Sequence, residues 1–146
     1  MDLADLYRDV IIDLNRDPRN FRRIEPPCQE AEGHNPLCGD KLHVYVKTVD
    51  GRIEDAAFEG SGCAISVASA SLMTEAMIGA TVDDARKRIE RMYAVLTGTA
   101  DADPGTDGKL AALAGVRQYP TRVKCASLCW HTVESALESG SQVSTE

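Results

Sequence analysis

Residues 41–58 read KLHVYVKTVDGRIEDAAF and decide the fold that we predict for this chain. Apolar and polar side chains alternate over residues 42–47, which is the pattern of a β-strand with one buried face. Asp50-Gly51 follows as a strong signal for a tight turn, and residues 52–58 provide the returning strand. The sequence therefore predicts an antiparallel hairpin over this stretch.

Two motifs that contain cysteine flank this hairpin. Asn35-Pro36-Leu37-Cys38-Gly39-Asp40 ends where the first strand begins, and Gly60-Ser61-Gly62-Cys63 follows the second strand. A thiol and a carboxylate separated by one glycine can both turn toward one metal ion, but a tetrahedral zinc site needs four ligands. Because a hairpin returns the chain to its starting point, we expect Cys63 to lie near Cys38 and Asp40.

Two predicted helix starts supply the remaining candidate ligands. A predicted helix of small residues (64–78) follows Cys63 directly, and Cys125 stands near the start of the last predicted helix. A helix N-terminus favours the thiolate form of cysteine, which binds metals. Arg122 and Lys124 precede Cys125 and would offset the negative charge of three thiolates and a carboxylate. Taken alone, either cysteine is more often a small buried apolar residue.

Apolar periodicity predicts helices over most of the remaining chain. They cover residues 3–14, 64–78, 82–98, 110–116 and 121–137, and residues 28–34 give a weak strand signal. Residues 97–108 are predicted to be a mobile acidic loop. Its aspartates lack the glutamate and the flanking helices of an EF-hand calcium site. Residues 138–146 are predicted to be a polar, flexible tail.

Composition limits the classes of partner. The chain has 146 residues, enough for one domain, and a formal net charge of −7, so nucleic acid and anionic membranes are disfavoured as partners. We recognise no signal peptide or membrane span and expect a cytoplasmic protein. Five cysteines in a reducing compartment indicate metal binding or reactivity more readily than disulfides. Arginines at positions 16, 19, 22 and 23 form either a solvated connector or a docking edge for an acidic partner.

Three separate motifs resemble the ligand segments of the IscU/NifU N-terminal superfamily of iron–sulfur assembly proteins. They are residues 35–40, residues 60–66 (GSGCAIS) and residues 122–125 (RVKC), in the same order and with similar spacing. The resemblance runs from the first helix to about residue 137. It implies one α/β (α+β) domain over residues 1–137, with a small three-stranded antiparallel sheet covered by helices on one face and a metal site near one end.

The same resemblance implies which side chains bind the metal. Carried over residue by residue, the zinc ligands of the family fall on Cys38, Asp40, Cys63 and Cys125. The thiol that accepts sulfur in the family falls on Cys38. Arg122 and Lys124 would then be cations that surround the metal site or face a partner.

Within the superfamily the chain resembles the SufU branch. Residues 98–119 resemble the insertion of that branch, Lys124 stands where IscU proteins have a histidine, and the Leu-Pro-Pro-Val-Lys segment of IscU proteins is absent. This resemblance implies a zinc-dependent sulfur acceptor that takes persulfide sulfur from a SufS-like cysteine desulfurase and works with iron–sulfur assembly machinery. Two alternatives remain open: a scaffold that carries a transient iron–sulfur cluster on the same ligands, and a structural zinc module.

The other cysteines and the histidines lie outside the three motifs. We predict that Cys28 is inert and that Cys129 packs in the core, with a reserve ligand or a resolving thiol as the alternative for Cys129. His34, His43 and His131 are predicted to be surface or packing residues, because none of them occupies a position that the family uses.

Overall fold

The computed structural model describes residues 3–138 and 142–144. In chain order, its elements are α1 (Leu3–Arg16), β1 (Gln29–Asn35), β2 (Asp40–Val49), β3 (Arg52–Ser61), α2 (Ala64–Met77), α3 (Val82–Thr97), α4 (Pro104–Asp107), a 3-10 helix (Gly108–Gln118), α5 (Pro120–Glu138) and β4 (Gln142–Ser144). Among these described residues, no helix combines the length and the apolar character that crossing a membrane requires.

Three antiparallel strands form the centre of the sheet, whose strand order is β3-β2-β1-β4. The hairpin predicted over residues 41–58 is confirmed. It turns at Asp50 and Gly51, whose φ values of 52° and 77° suit the tight turn between two twisted strands. β1 pairs with β2 along its whole length, which places Asn35 opposite Asp40. The predicted fold, a small antiparallel sheet with helices, is therefore confirmed.

A short fourth strand, β4, pairs in parallel with β1 at the edge of the sheet. The sequence predicts a polar tail over residues 138–146, whereas residue 138 ends α5 and residues 142–144 form this strand. Residues 139–141 and 145–146 of the predicted tail lie outside the described residues. A strand this short carries too little alternation of apolar and polar residues to be recognised from the sequence.

The main apolar core lies between the sheet and the helices. Val44 of β2 and Phe58 of β3 are fully buried, and they belong to one apolar cluster with Trp130 of α5. The alanines and serines of α2 let it approach α5 closely, and the Ser69 hydroxyl donates to the Ala126 carbonyl at 2.6 Å. Burying each large apolar side chain contributes about 1.5–3 kcal/mol. This burial holds α2 and α5 against the sheet.

The arginine-rich connector between α1 and β1 covers the outer edge of β3. The Phe58 backbone accepts a hydrogen bond from Arg22 at 3.0 Å and donates one to Asn20 at 3.1 Å. The Arg22 guanidinium also pairs with the Asp55 carboxylate at 2.6 Å, and this hydrogen bond lowers the pKa of Asp55. Arg22 therefore serves an internal ion pair, which favours the connector interpretation over the docking interpretation for this residue.

The segment that resembles the SufU insertion forms ordered structure. The mobile loop predicted over residues 97–108 is wrong for its second part, where α4 forms. Asp103 caps this helix, and Asp107 pairs with Arg91 at 2.9 Å, an ion pair that lowers the pKa of the Asp107 carboxyl. The 3-10 helix then packs against α1, and α5 begins at Pro120, a residue suited to a first helical position.

Gly33 of β1 lies where α5 packs closely on the sheet, and we expect its replacement to be costly. A Cβ at this position would overlap Thr132 Oγ1 and lie 3.0 Å from Leu128 Cδ1. Gly33→Ala should lower the free energy of unfolding by about 1–3 kcal/mol, as overpacking does in a rigid core. Chemical denaturation measures this loss. Thr132→Ala removes the obstructing hydroxyl, so the double variant should be more stable than Gly33→Ala alone, and purely additive losses would contradict this packing.

Candidate metal centre

The four predicted ligands come from separate parts of the fold that converge at one end of the sheet. Cys38 lies in the turn between β1 and β2, Asp40 begins β2, Cys63 immediately precedes α2, and Cys125 lies in α5. The ligand atoms of Cys38, Asp40 and Cys125 all lie within 4.8 Å of one another. The Cys38 and Cys125 sulfurs are 3.2 Å apart.

Cys63 approaches this group mainly through its backbone. It is the N-cap residue of α2, and its N–H donates to Asp40 Oδ1 at 2.8 Å. Its sulfur is not one of the three ligand atoms that meet within 4.8 Å. Burial is the main reason that the pKa of Cys125 is raised, the side chains of Cys38 and Asp40 add to it, and the Cys63 thiol contributes as well. Cys63 therefore lies beside the cluster and stays a candidate for its fourth donor.

Two glycines shape the space around the Asp40 carboxylate. Gly39 has a φ of +72°, in the left-handed region that glycine adopts without a steric penalty, and it turns the chain between Cys38 and Asp40. At Gly62, a Cβ would lie 2.8 Å from Asp40 Oδ1 and 3.1 Å from the Ser66 hydroxyl oxygen. A larger residue at Gly62 would therefore displace the carboxylate.

Asn35 is a site residue that the sequence analysis missed. It is fully buried, and its Nδ2 lies 3.4 Å from Asp40 Oδ2 and 3.5 Å from the Cys125 sulfur. Its Oδ1 and the hydroxyl of Ser66 are buried without a hydrogen-bond partner among the residues that the structure describes. The motif carried the signal, because Asn35 and Asp40 are the residues that close the β1–β2 turn. We interpret Asn35 as the amide that orients two of the four candidate ligands.

The donor set fits a zinc ion. Thiolates and carboxylates bind Zn²⁺ at about 2.3 Å and 2.0–2.2 Å in tetrahedral sites, so the donors of one ion stand roughly 3.3–3.8 Å apart. Two thiolates on one zinc stand about 3.8 Å apart in this geometry. The Cys38 and Cys125 sulfurs lie 3.2 Å apart, so they need to separate by roughly half an ångström to share an ion. The buried Asn35 amide supplies the hydrogen bonds that commonly orient metal ligands from outside the coordination sphere.

The two predicted cations differ in their relation to the cluster. The exposed Arg122 donates to the Cys38 sulfur at 3.7 Å, and its hydrogen bond with Cys125 is the main reason that its own pKa is raised. Lys124 is half-buried one residue before Cys125. Within residues 3–138, its ammonium group makes no hydrogen bond or ion pair with the four candidate ligands.

The remaining cysteines lie apart from the cluster. The Cys129 thiol is fully buried and donates to the Ser69 hydroxyl at 3.4 Å, and burial raises its pKa to about 12. The Trp130 indole N–H shares the same acceptor at 3.0 Å, so this part of α5 packs against α2. These contacts favour core packing for Cys129 over a reserve ligand. Cys28 packs beside Ile24 at the other end of β1.

Two of the histidines have partners outside the cluster. His43 Nε2 lies 2.6 Å from a Glu30 carboxylate oxygen on the open face of the sheet. The His131 ring stacks on Tyr93 at a centroid distance of 4.5 Å. The cluster of candidate ligands found among the described residues contains no histidine.

We expect Asn35→Ala to weaken zinc binding. Losing the amide removes the contacts that orient Asp40 and Cys125, and substitutions of residues that hold metal ligands typically cost 10–100-fold in affinity. Competition with a chromophoric chelator measures the change. Asn20→Ala is the matched control, because it removes a partly buried hydrogen bond from a side-chain amide to the Thr74 hydroxyl, remote from the cluster. An unchanged zinc affinity in Asn35→Ala would contradict the role that we assign to this amide.

Comparison with known proteins places this geometry in a family. Residues 6–126 match the family described as NifU-like N terminal domain. The chain is 37% identical over 135 residues to the zinc-dependent sulfurtransferase SufU of Bacillus subtilis, covering 92% of this chain and 91% of that protein. It is 36% identical over 133 residues to the iron–sulfur cluster assembly scaffold protein IscU of Thermotoga maritima, covering 91% of this chain and 93% of that protein.

A solved structure agrees with these relatives. The crystal structure of an N-terminal nitrogen-fixing NifU-like protein from Brucella abortus matches with a TM-score of 0.82 and 30% identity, covering 92% of this chain and 94% of that one. The resemblance drawn from the three motifs is confirmed by the matches in sequence and in structure. The chain therefore belongs to the NifU-like N-terminal domain family, within the superfamily of IscU and SufU iron–sulfur assembly proteins.

Proposed function

We propose that this protein is a zinc-dependent sulfur acceptor in iron–sulfur cluster assembly, which receives persulfide sulfur from a cysteine desulfurase on Cys38. The observation that carries the proposal is the position of this thiol, on a turn between two strands and within 3.7 Å of the Arg122 guanidinium. The similarity to SufU of Bacillus subtilis, a zinc-dependent sulfurtransferase, supports the same function.

The three cysteines of the candidate centre differ in their burial and in the contacts that restrain them. Cys125 is fully buried within α5 and lies against the Asn35 amide. Cys63 is the N-cap residue of α2, and its backbone N–H donates to the Asp40 carboxylate. Cys38 is half-buried on its turn beside Leu37, which is 70% exposed. Of these sulfurs, Cys38 is therefore the one that a partner can reach with the least rearrangement of the fold.

Sulfur transfer to Cys38 is a thiol exchange. The Cys38 thiolate attacks the outer sulfur of the desulfurase persulfide, the sulfur–sulfur bond of the donor breaks, and the donor cysteine leaves as its thiolate. A new sulfur–sulfur bond forms on Cys38, so the exchange is balanced without any added oxidant or reductant. The outer sulfur retains its oxidation state and moves from one protein to the other.

The residues around Cys38 favour this exchange. When bound, zinc keeps the cysteine sulfurs of the centre as thiolates at neutral pH. The Arg122 guanidinium stabilises negative charge on the Cys38 sulfur. The Asp40 carboxylate accepts from the Cys63 backbone and faces Asn35, so its orientation is fixed independently of Cys38. The Cys38 turn can then move without loss of the other ligands.

A scaffold for cluster assembly is the second candidate function. The identity to IscU of Thermotoga maritima, 36% over 133 residues, is nearly equal to the identity to SufU. On this alternative, the three cysteines and Asp40 would carry an iron–sulfur cluster as cargo. A carboxylate is a harder and weaker ligand for such a site than a thiolate, and it would ease release of the cluster. The two functions use the same residues for different cargoes.

We expect sulfur to be added at Cys38. The protein is incubated with a cysteine desulfurase and cysteine, digested and analysed by mass spectrometry. The peptide that contains Cys38 should be heavier by one sulfur atom, about 32 Da, because thiol exchange transfers one sulfur to each chain. Cys38→Ser should abolish this labelling, whereas Cys28→Ser, at the other end of β1, should retain it. Labelling confined to Cys129 would contradict the proposal.

Asp40→Ala should distinguish the sulfur acceptor from the scaffold. Three thiols remain to hold zinc at reduced affinity, while the contacts of the carboxylate with Cys63 and Asn35 are lost. For an acceptor, stimulation of the desulfurase should fall sharply even where zinc remains bound. For a scaffold, loss of the weak ligand should slow release of the cluster, and protein purified without air should be more strongly coloured than the parent.

The control for this comparison is the zinc content of both proteins, measured on the same preparations. A variant that is colourless and stimulates the desulfurase as well as the parent does would contradict both functions. That outcome would leave a structural zinc module, the third alternative from the sequence.

A further inference from the structure

A groove of about 830 Å³ lies beside the metal centre, between α1 and the end of the 3-10 helix. Most of its lining is apolar, and it includes Ile12 of α1, Ile65 of α2 and Tyr119. Ile12 is 46% exposed and Tyr119 is 52% exposed. Two large apolar residues thus remain open to solvent on opposite sides of the groove, which is typical of a surface that binds another molecule.

The groove opens next to the reactive sulfur. Arg122 lines it and also donates to the Cys38 sulfur at 3.7 Å. Ile65 follows the candidate ligand Cys63 by two residues. An occupant of the groove would therefore lie within the length of one arginine side chain from Cys38.

The charge of the groove is opposite to the charge of the chain. The whole sequence has a net charge of −7, yet the residues that line the groove include Arg8, Arg117 and Arg122 and no carboxylate. Arg117 is occupied, because it donates to the Val95 carbonyl at 2.6 Å and to the Ala100 carbonyl. Arg8 and Arg122 are the two whose present contacts are exposed side-chain contacts that a ligand can share or replace.

Arg8 can exchange its present partner for another anion. It pairs with Asp5 at 3.2 Å and more loosely with Asp9 at 4.0 Å, but its own side chain is 67% exposed and those of the two aspartates are 48% and 54% exposed. Ion pairs this exposed contribute little to stability, since water screens them. A carboxylate on a docked partner can replace such a contact at low cost.

The face of α1 that lines the groove adjoins its core face, because Tyr7 and Ile11 line the groove and also pack against the core. Val10 and Leu14 are the buried residues of α1, whereas Ala4, Arg8 and Ile12 follow one another at intervals of four residues along the groove. The core does not require an isoleucine at position 12. At this exposed position its side chain adds apolar area to the wall of the groove.

We propose that this groove is the docking site for an acidic segment of the sulfur donor, which places an apolar or aromatic side chain between Ile12 and Tyr119 and carboxylates near Arg8 and Arg122. The inference rests on the proposed function and deepens it. A small molecule would be largely enclosed by its site. The exposed walls of this groove instead suit a protein segment, which covers an open groove along its length.

Desulfurase stimulation tests the docking site. The probe is the cysteine desulfurase of the source organism, titrated with each variant loaded with zinc. Ile12→Glu puts a negative charge into the groove and should raise the half-saturating concentration about tenfold, with maximal stimulation unchanged. At low salt, Arg8→Glu should raise the half-saturating concentration less than Ile12→Glu does. The difference between Arg8→Glu and the parent should shrink at about 0.5 M salt, where exposed charges are largely screened.

Matched controls separate docking from general effects of charge. Val49 is 44% exposed at the far end of β2, about 30 Å from Asp40 for a strand of this length, so Val49→Glu repeats the chemistry of Ile12→Glu away from the groove. Arg86 pairs with Glu138 at 3.5 Å, so Arg86→Glu is the counterpart of Arg8→Glu. Both control variants should titrate like the parent.

Photo-crosslinking identifies the occupant. A benzoylphenylalanine at position 119 should capture a segment of the desulfurase rich in Asp and Glu, and the same group at position 49 should not. Capture of a basic segment, or equal half-saturating concentrations for groove and control variants, would overturn the proposal.

If the parent protein self-associates and Ile12→Glu abolishes this, the occupant is a second copy and the proposal is wrong. If the parent does not stimulate the desulfurase at all, the proposed function itself fails.

Discussion

The hydrogen bond from the Cys63 backbone to the Asp40 carboxylate joins the two ends of the central hairpin, and the candidate metal centre depends on it. Antiparallel pairing brings the start of β2 near the end of β3, and the 2.8 Å bond fixes the carboxylate at the N-terminus of α2. The helix dipole favours negative charge there. The same carboxylate faces Asn35 of β1, so one side chain connects the hairpin, its neighbouring strand and a helix.

Local sequence patterns predicted the hairpin, the long helices and the return of Cys63 toward Asp40, whereas the approach of Cys125 was implied only by the resemblance to the family. Alternation and the Asp50-Gly51 turn depend only on neighbouring residues, and the return of Cys63 toward Asp40 follows from the geometry of any hairpin. The contact of Asn35 with Cys125 could not be predicted in this way, because it joins residues 90 positions apart. The groove beside α1 was missed for the same reason, since it exists only when the 3-10 helix packs against that helix.

The distribution of charge matters more for this protein than its net charge. Several carboxylates are already used in internal ion pairs, such as Asp55 with Arg22 and Asp107 with Arg91. The chain is acidic as a whole, so an acidic partner is repelled over most of its surface. The groove beside Cys38 is the exception, because Arg8, Arg117 and Arg122 line it and no carboxylate does. On the proposed docking, attraction confined to this groove would orient an encounter toward the Cys38 thiol before any bond is exchanged.

If the groove binds the partner and Cys38 exchanges the sulfur, the two tasks are carried out by different residues. A partner held only through its contact with the Cys38 sulfur would lose that contact whenever the sulfur–sulfur bond is exchanged. Ile12 and Tyr119 belong to the groove and not to the ligand cluster, so contacts with them persist before and after the exchange. Binding energy from such remote contacts positions the reacting sulfurs without strengthening the bond that must break. On the proposed docking, the groove would set the rate at which the partner leaves, and the Cys38 sulfur could be exchanged without controlling that rate.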